Sequence, residues 1–237
     1  VFLSTGIRQL LFSLPIWLTM VMALSFSVVE LFGLSQMVFG VLPRNALGLA
    51  GILFAPLIHA DVEHLVSNLL PLLVTGVLMH WFYRPLIYRV YFFGWLSTGF
   101  VVWLVARSSN HIGASGLLYA ITMFLFVSGV LRANYRLIAV SLIVVFLYGS
   151  MIWGIFPLQA GISWESHAAG SLVGLVMAYY YRAYVTPVEK LEHIKPQPDD
   201  VELLEERFGE RYWDPNRSDG ESSRIIYFYK HKDEEKI

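Results

Sequence analysis

The sequence predicts an all-α polytopic membrane protein: six membrane-spanning helices, a long loop after the first, and a charged C-terminal extension. Three observations point there. Of the 237 residues 56% are hydrophobic, with 18 Gly and 7 Trp, an apolar fraction above the globular norm. Charge is segregated, because residues 1–184 hold eight Lys+Arg and four Asp+Glu while 185–237 hold nine and fourteen. The sparse charges of the first part divide it into apolar stretches of the ~17–25 residues that a membrane helix requires. A net charge of −1 without a basic run speaks against nucleic-acid binding. The chain has no cysteine, so it offers neither a disulfide framework nor thiolate chemistry.

The first span is expected at about 10–29, between Arg8 and Glu30, with Pro15 near its start. It is too long for a signal-peptide core and no small-residue cleavage site follows, so it reads as a retained helix. The second is expected at 64–83 ahead of Arg84, the third between Arg89 and Arg107, and the fourth from Ser115 to near Arg132. The fifth follows Arg136 and ends before Pro157; the sixth covers 166–181, ahead of Arg182. One face then receives Arg8, Arg84, Arg89, Arg132, Arg136 and Arg182, and the other only Arg44 and Arg107. Excess positive charge marks the cytoplasmic side, which puts both termini there. The outer connection 31–63 is long and apolar, with Pro43 and Pro56. It is expected to lie partly in the outer leaflet, with short re-entrant helices as the alternative. Two domains follow: a membrane domain over 1–184 and an acidic, partly ordered cytosolic extension over 185–237. Within the extension 201–208 suits a short helix and 225–229 a strand.

Polar groups at membrane depth are functional candidates. Singly, Asn68 reads as interhelical glue and a histidine near a helix end as an interface residue. Depth brings them together. Counting ~1.5 Å per residue from Arg132, Arg182 and Arg84, Ser115 lies ~25 Å up, His167 ~22 Å and Asn68 ~24 Å. In a hydrocarbon core of ~30 Å all three fall at one level, below the outer surface. Gly170 and Gly174 form a small-residue ridge below His167, and Gly113 and Gly116 remove bulk beside Ser115. The fourth and sixth helices are therefore expected to approach closely enough for a serine–histidine hydrogen bond. Tyr119, one turn below Ser115, is placed to support the imidazole.

These residue types suit acyl transfer. A serine needs a base to become a nucleophile, and histidine is the usual one. The developing oxyanion needs donors. Ser115 opens its helix with unpaired amides, Asn68 offers an NH₂ group, and His64, one turn above it, a ring N–H. Glu165 is expected higher, in the loop, which leaves a dyad rather than a triad.

With these residues in place the chain resembles the rhomboid family of intramembrane serine proteases over 43–184. His59, His64 and Asn68 match the family's His-x4-His-x3-Asn pattern; Gly113-Ala114-Ser115-Gly116 with Tyr119 matches its G-x-S-G motif. His167, Gly170 and Gly174 match its H-x2-G-x3-G pattern. The resemblance implies a six-helix fold of the bacterial type and a catalytic Ser115–His167 dyad. It also implies an oxyanion site from His64, Asn68 and the Ser115 amide, with Tyr119, His59 and the four glycines supporting. Neither metal nor cofactor is implied. Cleavage of single-pass membrane proteins near the outer side of the bilayer follows, in a bacterial cytoplasmic membrane with the site opening outward. Two departures stand out. The family's Trp-Arg pair in the first outer loop is replaced by Gly40-Val41-Leu42-Pro43-Arg44-Asn45, and Ser166 stands where alanine often precedes the histidine. The rival reading is a catalytically inactive relative that binds or escorts membrane clients; such relatives lack the serine or the histidine, and both are present. A transporter would show paired broken helices in two similar halves, and none is evident.

Overall fold

The computed structural model describes residues 9–10, 13–35, 39–158 and 161–192. The helix expected at 201–208 and the strand expected at 225–229 lie outside them. The described chain is helical, with one isolated antiparallel bridge between Val41 and His111. Its long helices are α1 (Leu14–Leu31), α2 (Val62–Phe82), α3 (Ile87–Val105), α4 (Ser115–Arg132), α5 (Tyr135–Tyr148) and α6 (Trp164–Tyr180).

Local chemistry sets the ends. Pro15 sits in the first turn of α1, where a missing N–H costs nothing. Asp61 caps α2 by accepting from the His64 amide at 2.7 Å. Ala133 takes a left-handed conformation after α4, with φ 50°. Asn134 then caps α5 through the Arg136 and Leu137 amides, and the two residues make the tight hairpin.

Five helical stretches are long and apolar enough to cross a membrane, the fifth being α5 together with a 3₁₀ continuation to Ile155. The chain is an integral membrane protein. The sixth helix has 17 residues and carries Glu165, Ser166 and His167 in its first turns, which lowers its apolarity. It nevertheless packs along α4 more extensively than any other pair of elements. The reason is the glycine ridge: a Cβ at Gly170 would run into the Gly116 carbonyl, and one at Gly174 into the Ala120 carbonyl. Backbone therefore meets backbone. The central helix α4, 56% buried, also touches α2, α3 and α5. By contrast α5 with its 3₁₀ continuation is 17% buried, the least enclosed span.

The outer loop forms three short helical segments, Ala46–Leu49, Gly51–Phe54 and Ala55–Leu57. They pack on α3, whose Trp95 and Trp103 indoles donate to the Ile52 and Asn45 carbonyls, each at 2.9 Å. Arg44, in the loop that lacks the family's Trp-Arg pair, adopts φ 56°. Its guanidinium donates to the Ala106 carbonyl at 2.8 Å, satisfying an acceptor just past the end of α3.

At the opposite end of the bundle a seventh helix, α7 (Pro187–Glu192), begins inside the stretch read as extension. Val188 joins the apolar core. Arg132, whose side chain is 1% exposed, donates to Glu189 at 2.9 Å, and to the Tyr181 and Tyr184 carbonyls at 2.6 Å each. Burial raises the Glu189 carboxyl, but hydrogen bonds from Thr186 and Arg132 outweigh it and hold the group below its ordinary 4.5. Stability from this pair is thus fully present above pH 4.5 and lost as pH falls through the lower folded value. Glu189→Gln is expected to cost about 1–2 kcal/mol near pH 7. Melting in detergent across pH checks it, since the deficit against wild type should close on acidification.

Candidate active site

Ser115 is the first residue of α4. The turn before it depends on Gly113, whose φ of +98° is open to glycine and whose amide donates to the Ala55 carbonyl at 2.9 Å. The outer loop thereby pins this turn. The Ser115 Oγ lies 2.9 Å from His167 Nε2. The two residues are 52 positions apart and meet because α4 and α6 close on their glycines. His167 is 9% exposed. Its ring is stacked on that of Tyr119, with centroids 4.2 Å apart and planes within 6°. The Tyr119 hydroxyl donates to the Met151 carbonyl at 2.6 Å, and His167 Nδ1 lies 2.8 Å from the Gly154 carbonyl.

On α2, His64 Nδ1 accepts from the Ala60 amide at 3.4 Å, so the ring proton resides on Nε2. That nitrogen overlies the turn before Ser115: a methyl on Gly113 would sit 2.5 Å from it. Asn68, 3% exposed, donates one N–H to the His64 carbonyl at 2.7 Å. An amide has two N–H groups, which leaves a second donor. His59 does not join them as a donor; it is 1% exposed and packs edge-on against His64 with centroids 5.0 Å apart. Burial, aided by the His64 ring, pulls its pKa down to about 4, so it is a neutral brace. His64, Ser67, Asn68, Ser115, Tyr119 and His167 all line one cavity of about 1040 Å³. Leu118, Ile112 and Met151 add apolar walls, so the polar side chains form a patch able to hold water within a largely apolar cavity.

Glu165 lies within the first turn of α6 rather than in the loop above it, buried at 8% exposure. It faces Arg107, whose Nε is 3.4 Å from its carboxylate. Arg107 also donates to the Ile162 carbonyl at 2.8 Å. Beside this pair sits a cluster absent from the sequence reading. His111 Nδ1 is 2.5 Å from Ser163 Oγ, which is 2.7 Å from Ser166 Oγ. His111 Nε2 meets the Arg107 carbonyl at 3.1 Å and Ser109 Oγ at 3.2 Å. Burial lowers the His111 pKa against the opposing pull of the Arg107 carbonyl and Glu165, so the ring is neutral at pH 7. The cluster ties the loop before Ser115 to the turn before His167, and Ser166 serves it with a hydroxyl that alanine lacks. The available signal was positional: polar residues precede both Ser115 and His167 by one turn. His111→Ala strands buried hydroxyls at about 1–3 kcal/mol. It is expected to lower the melting temperature and turnover together, both read on one sample.

A family model described as the Rhomboid domain matches residues 46–184, more than half of the chain. Uncharacterized proteins of Mycobacterium tuberculosis and Mycobacterium bovis are each 35% identical over 153 residues, 61% of this chain and 64% of the relative. A Mycobacterium leprae protein, also uncharacterized, is 34% identical over 164 residues, 65% of this chain and 63% of the relative. The match therefore spans somewhat under two thirds of these relatives' length. The shared domain takes in α2 to α6 and every residue of the serine–histidine cavity described above, and on that ground the chain belongs to the rhomboid family.

Proposed function

We propose that the chain is an intramembrane serine endopeptidase that hydrolyses peptide bonds of single-pass membrane proteins near the outer side of the bilayer. The observation that carries this is the 2.9 Å approach of Ser115 Oγ to His167 Nε2 at a helix N-terminus, on the wall of a cavity of about 1040 Å³ between helices. Ser115 Oγ attacks the scissile carbonyl carbon while its proton passes to Nε2. The new oxyanion is held by the Ser115 amide, His64 Nε2–H and the second N–H of Asn68. As the C–N bond breaks, Nε2 returns the proton to the leaving amine. A cavity water then attacks the acyl carbonyl carbon and gives its proton to Nε2; as the C–Oγ ester bond breaks, Nε2 returns that proton to Ser115 Oγ and the acid product leaves. No step calls on a metal or cofactor.

The arginines at one end of the spans support a topology with both termini in the cytoplasm and the cavity opening outward, in a bacterial cytoplasmic membrane. Residues 1–184 with α7 form the membrane domain, and the rest of the extension is cytosolic. Labelling of the detergent-purified protein with a serine-reactive fluorophosphonate, beside Ser115→Ala, tests the activity. Labelling confined to wild type supports the protease. An unlabelled wild type favours an inactive relative that binds membrane clients.

A further inference from the structure

Catalytic histidines need their second ring nitrogen held, because that hydrogen bond sets which nitrogen bears the proton. Among the described residues no carboxylate bonds the His167 ring, and Glu165 is turned to Arg107. The acceptor within reach is the Gly154 carbonyl, 2.8 Å from His167 Nδ1. A carbonyl oxygen only accepts, so Nδ1 carries the proton and Nε2 presents its lone pair to the Ser115 hydroxyl. That is the tautomer a general base requires.

The place of Gly154 in the fold matters. It lies in the 3₁₀ segment Gly149–Ile155 that continues α5, and no residue of that segment is buried. Seven residues is long for 3₁₀ structure, which seldom exceeds three or four. The segment extends the least enclosed span. Two of its carbonyls accept hydrogen bonds from the body of the protein, Met151 from Tyr119 and Gly154 from His167, and the Met151 side chain rests partly buried against the core. Glycine permits the second contact. A Cβ at 154 would run into the Tyr119 hydroxyl, lie 3.0 Å from His167 Nδ1 and lie 3.2 Å from Tyr119 Cζ. A cavity of about 290 Å³ adjoins it, lined by Tyr119, Met151, Trp153, Gly154, Phe156 and His167, so space is available beside the segment.

We propose that the Gly154 carbonyl is a positioning group for His167 and makes the dyad a triad whose third member is backbone on a weakly packed segment. This rests on the protease reading. During attack the Ser115 proton moves to Nε2, and the imidazolium is stabilised by the Gly154 dipole; both ring protons are later accounted for when Nε2 releases its own to the leaving amine. Displacing 149–155 removes the acceptor, lets the ring adopt the other tautomer or rotate, and disables the base. Chemistry at Ser115 therefore requires residues 149–155 to be seated against His167.

The test uses the full chain in detergent, with Gly154→Ala. Two readouts are taken: the fluorophosphonate labelling rate at Ser115, and the His167 tautomer from long-range ¹⁵N–¹H correlation on ¹⁵N-histidine protein. The expected result is labelling slowed about 10–100-fold, within the range for a compromised general base, together with loss of the single Nδ1–H tautomer. A folded variant that labels at the wild-type rate, or that slows with its tautomer unchanged, overturns the proposal. If Gly154→Ala does not fold, Tyr119→Phe is read by the same criteria, since it keeps the ring stack and removes the Met151 anchor. An unlabelled wild type removes the protease reading and this proposal with it. A labelled wild type with an indifferent Gly154→Ala removes this proposal alone.

Discussion

Ser115→Ala and His167→Ala are each expected to abolish cleavage of a membrane substrate, by at least ~10³–10⁴-fold, and the double variant to be no worse than either. Residues that act as one unit are non-additive, because losing the nucleophile makes the base idle and the reverse. The geometry explains why neither loss should be rescued locally. Ser163 and Ser166, the nearby hydroxyls, are engaged with His111 and with each other, and His167 Nε2 is directed at Ser115. Stability should respond differently. Ser115 is half-buried at a helix start, so its alanine variant should melt near wild type. His167→Ala loses the stack on Tyr119 and the bond to Gly154 and should melt lower. Turnover of a transmembrane substrate, measured beside the melting curve, separates the two effects. Substantial proteolysis by folded Ser115→Ala would sink the assignment.

The second large effect is expected at the oxyanion donors. Asn68→Ala and His64→Ala should each reduce turnover by up to ~10²–10³, with smaller losses where the remaining donors compensate. Substrate binding should change little, because the interaction matures in the transition state. Both residues also have structural work. Asn68 holds the His64 carbonyl at 2.7 Å, and His64 supports the buried His59 ring at 5.0 Å. The decisive quantity is therefore turnover per folded molecule. Asn68→Ala that melts lower yet turns over at the wild-type rate would reduce Asn68 to interhelical glue, leaving His64 and the Ser115 amide as donors.

The bundle was legible in the sequence because lipid imposes a simple requirement: apolar stretches of a set length, broken by charges at the surface. The expected bounds of the second, third, fourth and sixth spans differ from the observed ones by three residues or fewer. Counting rise per residue also brought Ser115, His167 and Asn68 to one depth, and the structure has them lining one cavity. The glycine spacing pointed to a close approach of the fourth and sixth helices, which the Gly170–Gly116 and Gly174–Ala120 contacts realise.

Other features required the folded chain. The fifth span leaves α-helix at Tyr148 and continues as 3₁₀ to Ile155. The change falls at Gly149-Ser150, a pair that lets a helix change pitch but does not by itself say that it will, because lipid rewards apolarity whatever the pitch. The carbonyl of Gly154 beside His167 has no residue signature at all; every residue has a carbonyl, and only packing decides which one meets the ring. The His111–Ser163–Ser166 cluster joins residues 52 or more positions apart, and single polar residues in loops look alike until the loops are folded together. The start of the extension reads as charged tail, yet Val188 enters the core and Glu189 meets a nearly inaccessible Arg132. Composition tells which segments can enter lipid. Which polar atoms face one another is set by helix approach and backbone direction, and those exist only once the bundle has closed.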